Sequence, residues 1–168
     1  MAKILLMEDD AAQAELIAEG LKHGSHEVVI RHEAQSALQA LTESRFDLLV
    51  SDILVPHAEI GKPNGGVLLI GRVRNSRHSF GDWSLSDIPI LAISGGFVAS
   101  TGVSMERIAK SVGASAYRQK PLSLTALRSA VDMLLSGQVD PEPTLAPPAR
   151  IGLRPLDAMS RLETSNKA

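Results

Sequence analysis

One short stretch of the sequence reads Phe46-Asp47-Leu48-Leu49-Val50-Ser51-Asp52-Ile53-Leu54-Val55-Pro56. Its apolar run is short and unbroken and has no helical period, which is typical of a parallel strand buried on both faces. Asp52 would then lie at the carboxyl end of the strand, the edge of an open α/β sheet where ligands bind. Because burying an unpaired charge is unfavourable, Asp52 needs a partner from elsewhere in the chain.

Similar apolar runs occur at intervals along the whole chain. Four further strands are predicted, at Ile4–Met7, Val28–Ile30, Ile88–Ile93 and Ala114–Arg118. After each predicted strand, apolar residues recur at intervals of three and four, which is typical of an amphipathic helix. Five strands alternating with five helices predict an α/β fold with a parallel sheet covered on both faces. Right-handed crossovers favour a doubly wound, flavodoxin-like sheet with the strand order 2-1-3-4-5.

Local signals predict where some helices begin and how the loops run. Asn64 is a candidate cap for the third helix and Ser123 for the fifth, with Leu124 on the inner side of the fifth helix. The polar segment Asn75–Asp87 is predicted to be a long loop. The histidines have no spacing typical of metal ligands and are interpreted as surface residues: His23, His26, His32, His57 and His78.

Composition restricts the classes of protein that fit. The chain has 168 residues, of which 44% are hydrophobic, and no cysteine, so a disulfide framework and cysteine-based metal or nucleophile chemistry are excluded. A net charge of −2 argues against broad electrostatic binding to nucleic acid. No segment approaches the ~18 apolar residues of a membrane span, and the N-terminal apolar run is too short for a signal peptide. We therefore expect a cytoplasmic protein that binds neither nucleic acid nor membrane.

A change in composition divides the chain near residue 137. Residues 1–137 carry the alternating pattern, whereas residues 138–168 contain five of the nine prolines. We interpret the second region as a Pro-rich tail, either without regular structure or loosely docked. The stretch 155–163 could form a short helix, although one too short to be stable alone.

Polar residues follow the predicted strands at the carboxyl edge of the sheet. They are Glu8 and Asp9 after the first strand, Asp52 after the third, Ser94 after the fourth and Lys120 after the fifth. Three carboxylates at one edge repel one another, and a hard divalent cation such as Mg²⁺ relieves that repulsion with oxygen ligands. Because Mg²⁺ also bridges phosphate oxygens, phosphoryl chemistry is indicated. A lysine and a hydroxyl would supply further contacts to a bound phosphoryl group.

Taken together, these pieces resemble the receiver domain of bacterial two-component response regulators. The matching motifs are Ile4–Asp10, the strand that ends in Asp52 with Pro56 four residues on, Ile90–Gly95 and Tyr117–Pro121. Each motif is weak alone, but their order and spacing are specific, and the resemblance covers roughly residues 2–136. The resemblance implies a signalling module rather than an enzyme.

The resemblance also implies a role for each site residue. Asp52 would accept a phosphoryl group from a phosphohistidine on a sensor histidine kinase or a histidine phosphotransfer protein. Asp9, Asp52 and the backbone carbonyl of Leu54 would hold Mg²⁺, assisted by Glu8. Ser94 would donate a hydrogen bond to the phosphoryl group, and Lys120 would pair with it.

A conformational switch follows from the same resemblance. Phosphorylation adds about −1.5 to −2 charges. Ser94 would move toward the phosphoryl group and Tyr117 would fill the vacated space, changing the face formed by the fourth helix, the fifth strand and the fifth helix. In the family the Lys120–Pro121 peptide bond is usually cis. We expect a stand-alone receiver that signals by protein contact, and a homodimer through the switching face is a further expectation.

Two features depart from the usual receiver pattern. The segments 57–64 and 75–87 are longer than expected, and the first lies near the site, where it could contact a dedicated kinase or slow access to the phosphoryl group. Leu54, two residues beyond Asp52, is apolar. We therefore hypothesise that it positions no attacking water and that the phosphoryl group on Asp52 is long-lived.

Three alternative functions remain open from the sequence. A pseudo-receiver, which binds partners without being phosphorylated, is the main alternative, and the complete set of site residues argues against it. A small α/β phosphatase with an aspartyl nucleophile would also use carboxylates and Mg²⁺, but the chain lacks a second acid two residues beyond Asp52. A flavin-binding flavodoxin is disfavoured because the loop after the first strand is acidic rather than rich in Gly, Ser or Thr.

Overall fold

The protein is a five-stranded parallel sheet with helices on both faces. The computed structural model describes residues 1–53, 65–95 and 104–138. The strands in chain order are β1 (Lys3–Met7), β2 (Glu27–Arg31), β3 (Leu48–Asp52), β4 (Ser79–Phe80), β5 (Trp83–Ser84), β6 (Ile90–Gly95) and β7 (Ala116–Lys120). The α-helices are α1 (Ala11–Lys22), α2 (Ala34–Glu43), α3 (Gly66–Arg74), α4 (Met105–Ser111) and α5 (Leu124–Leu135).

The large sheet has the strand order β2-β1-β3-β6-β7, and all of its pairs are parallel. Since β6 and β7 are its fourth and fifth strands along the chain, the predicted flavodoxin-like order 2-1-3-4-5 is confirmed. β3 is the central strand, and every one of its residues is buried. Its pairing with β1 and β6 explains why its sequence is a short apolar run without alternation.

Alternate residues of each central strand supply two separate core layers. Leu5 and Leu49 face α2, α3 and α4, where they pack in one buried cluster. Leu6 and Val50 face α1 and α5 in the other. Leu, Ile, Val and Ala build nearly all of both layers, as the low aromatic content of the chain requires.

Helix caps agree with the sequence at some positions and differ at others. Ser123 caps α5 as predicted, accepting a hydrogen bond from the Ala126 N–H at 3.1 Å. The predicted cap of α3 was wrong, because Gly65 occupies the N-cap position and Asn64 lies outside the described residues. Leu124 is 38% exposed and is therefore not an inner residue of α5. Gly20 of α1 has no side chain at this point, and Leu124 fills the resulting notch between the two helices.

The segment between α3 and β6 was predicted to be a loop, and that prediction was wrong. β4 and β5 form a small antiparallel hairpin, and a turn of 3-10 helix follows at Leu85–Asp87. Gly81 has a φ of 63°, a left-handed conformation that glycine adopts without strain. Leu85 and Ile88 are fully buried, so this segment is anchored in the core despite its polar sequence. The sequence pattern missed it because each strand has only two residues.

Arg74 connects this segment to the end of α4. Its guanidinium donates hydrogen bonds to the carbonyl oxygens of Gly113, Ser86 and Ile88, each at 2.7 Å, and to Ser115 Oγ at 3.2 Å. Burial lowers the pKa of Arg74, and the charge of Asp87 opposes that effect. Together, these four hydrogen bonds hold the amino ends of β6 and β7 against the C-terminus of α3.

Two histidines differ from the surface role expected for them. His26 Nδ1 and His78 Nε2 are buried, and neither has a hydrogen-bond partner among the described residues. The His78 ring packs edge-on against Phe80, with ring centroids 4.8 Å apart. His57 lies outside the described residues.

Residues 139–168, including the candidate helix at 155–163, lie outside the described residues, so the domain division stays a prediction. Within the described ranges, no helix combines the length and the apolar character needed to cross a membrane.

Candidate phosphoacceptor and metal site

The carboxyl ends of β1 and β3 bring three acidic side chains together. Glu8 follows β1 directly, Asp9 comes next, and Asp52 is the last residue of β3. Each offers one carboxylate oxygen, and these oxygens all lie within 4.8 Å of one another. Glu8 and Asp52 are buried, and Asp9 is half-buried. The parallel topology produces this cluster because β1 and β3 are neighbours and end at the same edge.

Lys120, at the end of β7, supplies the positive charge. Its Nζ donates a hydrogen bond to Glu8 Oε2 at 2.6 Å and to Asp52 Oδ2 at 2.7 Å. β7 is two strands away from β3, so the lysine side chain reaches across the end of β6 to the acidic cluster. The Lys120–Pro121 peptide bond is cis, as the resemblance implied.

Burial and hydrogen bonding act in opposite directions on the pKa of both Glu8 and Lys120. Burial raises the pKa of Glu8 above its ordinary value, while the hydrogen bond from Lys120 opposes that rise. Burial by itself would lower the pKa of Lys120, but the hydrogen bonds to Asp52 and Glu8 outweigh it and raise the pKa. The lysine is therefore held in its charged form, as a cation that faces two carboxylates.

The expected switch residues, Ser94 and Tyr117, lie beside the acidic cluster. Ser94 is on β6, where the neighbouring Ile93 is in register with Asp52, and its hydroxyl donates to the Gly95 carbonyl at 3.2 Å. Burial raises the pKa of Tyr117, and a hydrogen bond with Ser94 opposes that rise. The Ser94 hydroxyl therefore influences the titration of Tyr117, while the roles of both residues in switching stay predictions. Leu54 lies outside the described residues, so its carbonyl ligand and its effect on phosphoryl lifetime also stay predictions.

Three features of this edge were not found from the sequence. Gln13, in the first turn of α1, accepts a hydrogen bond from Lys120 Nζ at 3.0 Å. His32 Nδ1 lies 2.8 Å from the backbone oxygen of Glu8. Gly66 packs so closely on β3 that a Cβ there would lie 1.9 Å from the Asp52 carbonyl oxygen. Only the pair of glycines at the start of α3 was a usable signal, since close approach of two backbones often requires a residue without a side chain.

The donor set fits a hard divalent cation. Three carboxylates around one point carry three negative charges when ionised, and Lys120 contributes a single positive charge. The ligand atoms are all oxygens, which Mg²⁺ prefers, and the lysine ammonium already demonstrates that a cation is accommodated between Glu8 and Asp52. Glu8, Asp9 and Asp52 could therefore hold a metal ion.

Known proteins resemble the chain both in sequence and in fold, although no family model matches it. The response regulator protein FleR of Pseudomonas aeruginosa is 29% identical over 154 residues, which cover 89% of this chain. This chain spans 29% of the length of that relative and about half of the length of other curated relatives that it matches.

Solved structures supply the comparison for the fold. The signal receiver domain of a signal transduction histidine kinase from Syntrophus aciditrophicus is 26% identical, with a TM-score of 0.66, and the match covers 87% of this chain and 99% of that domain. The chemotaxis response regulator CheY4 of Vibrio cholerae is 22% identical, with a TM-score of 0.64, covers 80% of this chain and 98% of its own, and shows the fold alone. The sequence relatives are response regulators and the structural neighbours are receiver domains, and together with the acidic cluster at the carboxyl edge of the sheet they support a receiver domain of the two-component response-regulator type.

Proposed function

We propose that the protein is a phosphorylatable receiver whose Asp52 accepts a phosphoryl group from a histidine kinase or a histidine phosphotransfer protein. The observation that supports the proposal best is the bridge from Lys120 to Asp52 and Glu8, next to the half-buried Asp9. A buried carboxylate beside a lysine and two further carboxylates has the groups that phosphoryl transfer requires: a nucleophile, a fixed positive charge and a candidate cation site.

The proposed reaction transfers the phosphoryl group between two side chains. A carboxylate oxygen of Asp52 attacks the phosphorus, and the P–N bond of the phosphohistidine breaks. The bond's electron pair stays on the leaving imidazole nitrogen, which takes a proton from solvent, and Asp52 becomes an acyl phosphate. Lys120 pairs with the added negative charge, since its Nζ is already 2.7 Å from Asp52 Oδ2.

Mg²⁺ is the proposed cofactor, with Glu8, Asp9 and Asp52 as the residues that would hold it. When bound, it would neutralise negative charge on the phosphoryl group as that group approaches the acidic cluster. Glu8 is 1% exposed and burial raises its pKa, so its carboxylate needs a positive charge nearby, which Lys120 supplies in this structure and Mg²⁺ would supply when bound. The chain's output is proposed to be protein contact through the face of α4, β7 and α5, which carries Tyr117.

Intact-mass spectrometry of the full chain tests this proposal. The protein is incubated with Mg²⁺ and acetyl phosphate, beside the variants Asp52→Asn and Asp47→Asn. Asp47 precedes the opposite end of the same strand, where its carboxylate accepts a hydrogen bond from the Lys3 N–H at 2.8 Å, so it is a matched control. We expect one added phosphoryl group in the wild type and in Asp47→Asn, and none in Asp52→Asn or when EDTA replaces Mg²⁺. An unmodified wild type would instead support the pseudo-receiver function.

A further inference from the structure

Gln13 reaches the site from a different element than the acidic residues. It lies in the first turn of α1, where its backbone N–H donates to Asp10 Oδ1 at 2.8 Å as part of the helix cap. Its side-chain oxygen, Oε1, accepts from Lys120 Nζ at 3.0 Å. The cap fixes the backbone of Gln13, so the side chain starts from a defined position beside the lysine.

Lys120 therefore uses all three of its donors. An ammonium group has three N–H bonds, and the acceptors are Glu8 Oε2 at 2.6 Å, Asp52 Oδ2 at 2.7 Å and Gln13 Oε1 at 3.0 Å. Glu8 and Asp52 belong to the cluster that could hold a cation. Gln13 is the neutral acceptor among the three, and it is not a member of that cluster.

A divalent cation held by the acidic cluster would compete with Lys120 for the carboxylates of Glu8 and Asp52. A cation bound by Glu8, Asp9 and Asp52 would draw Glu8 away from Lys120, and the lysine would then lose its shortest hydrogen bond. Without another acceptor, Lys120 would be bonded to Asp52 alone, and its remaining N–H groups would need water as their acceptor. Gln13 keeps a second acceptor in place throughout.

We propose that Gln13 is a positioning residue, which holds Lys120 beside Asp52 when a divalent cation takes Glu8. The phosphoryl-transfer part of this inference rests on the proposed function, whereas the cation-binding part does not. Gln13 thus has two effects. It favours cation binding, because Lys120 gives up Glu8 more readily, and it speeds phosphorylation, because the ammonium group stays where negative charge is added.

Mg²⁺ titration without a phosphodonor is the first test. Calorimetry measures the Mg²⁺ affinity of the metal-free wild type and of Gln13→Met, which keeps the length of the side chain and removes the acceptor. Because the lost hydrogen bond is charge-assisted but partly exposed, we expect the Kd for Mg²⁺ to rise roughly 3- to 10-fold. Gln39→Met is the matched control, since Gln39 is an exposed glutamine on α2 that donates to Glu43 at 2.7 Å, and its Kd should equal that of the wild type.

Gln13→Ala separates the hydrogen bond from simple packing. If the acceptor matters, Gln13→Ala and Gln13→Met weaken Mg²⁺ binding equally. A wild-type Kd in Gln13→Met, whether or not Gln13→Ala binds more weakly, would overturn the inference, because Met keeps the packing of the side chain and lacks only the acceptor.

Phosphorylation by acetyl phosphate at saturating Mg²⁺ is the second measurement. We expect Gln13→Met to lower the rate constant roughly 3- to 10-fold, with Gln39→Met unchanged. If the wild type is not phosphorylated, the proposed function fails while the Mg²⁺ titration still decides the cation-binding role of Gln13. If the wild type is phosphorylated and Gln13→Met reacts at the same rate, the positioning role fails while the proposed function stands.

Discussion

The two edges of the sheet bury a positive charge in opposite ways. At the carboxyl edge, Lys120 faces two carboxylates, Glu8 and Asp52. At the amino edge, the acceptors of the Arg74 guanidinium within the described residues are neutral, namely three backbone carbonyl oxygens and the hydroxyl of Ser115. Both cations are largely removed from water, so both need partners, but the partners differ in charge.

Because their partners differ, Arg74 has a structural role, whereas Lys120 belongs to the candidate functional site. Carbonyl oxygens in a folded backbone stay where they are, so the contacts of Arg74 have one arrangement and hold α3, the hairpin segment and the end of α4 together. Carboxylates can exchange a lysine for a metal ion or a proton, so the contacts of Lys120 with Glu8 and Asp52 are replaceable. Chemistry and signalling are therefore expected at the carboxyl edge, and stability is expected to depend on the amino edge.

Replacing Arg74 should have the largest effect on stability. In Arg74→Met, three carbonyl oxygens lose a charged donor, and we expect the free energy of unfolding to fall by about 3 kcal/mol. Urea denaturation measures this change. Arg72→Met is the control, because Arg72 is exposed on the same helix and its Nη1 is 3.3 Å from Gln35 Oε1, and it should change stability by less than about 0.5 kcal/mol. If the two variants are equally stable, the hydrogen bonds of Arg74 at the amino edge do not contribute to the stability of the fold.

Replacing Lys120 should have a smaller effect that depends on Mg²⁺. Lys120→Met leaves Glu8 and Asp52 without their cation, and we expect a loss of about 2 kcal/mol in EDTA, less than for a fully buried pair because the lysine is partly solvated. Added Mg²⁺ should restore more stability to Lys120→Met than to the wild type, since the lysine no longer competes. Lys110→Met, which removes a half-buried pair with Glu106 at 3.3 Å, should cause a smaller loss of stability, and Mg²⁺ should not reverse it. If Mg²⁺ does not reduce the loss of stability in Lys120→Met, the idea that Mg²⁺ can replace Lys120 at Glu8 and Asp52 would be contradicted.

Of the three predictions, the one that concerns Tyr117 involves the smallest change in stability. Burial raises its pKa above 10, and because Tyr117 is the single tyrosine of the chain, its ionisation can be followed by phenolate absorbance. Because the pKa of Tyr117 is higher in the folded than in the unfolded protein, its neutral form stabilises the fold. This stabilisation is complete below pH 10 and is lost as the pH rises through the pKa of the folded protein. Ser94→Ala should raise the pKa further, because the hydrogen bond with Ser94 lowers it. A pKa in Ser94→Ala that equals or falls below the wild-type value would mean that the two side chains are not coupled.

Much of the carboxyl edge was predictable because parallel strands end at a common edge. The site residues Glu8, Asp9, Asp52, Ser94 and Lys120 all lie within two residues of the carboxyl end of a strand, and knowing the strand order was sufficient to bring them together. The Ser123 cap was predictable for a local reason, since a serine directly before a helical pattern satisfies the free N–H groups of the first turn.

The amino edge was less predictable because its contacts have no local pattern. The two-residue strands of the hairpin are too short to show alternation, and the segment reads as polar although Leu85 is buried beneath it. Leu124 fits the helical period of α5 and was expected inside, but the missing side chain of Gly20 on another helix sets its position.

The sequence by itself determined the alternation of strands and helices, the order of the strands and the convergence of acidic residues with a lysine, because periodicity and the handedness of crossovers are local rules. Only the tertiary structure decided which acceptors each buried cation finds. Lys120 meets Gln13 across a separation of 107 residues, and Arg74 meets Gly113 across 39. Such contacts depend on how several packed elements place the ends of long side chains, and no single segment of sequence carries that information.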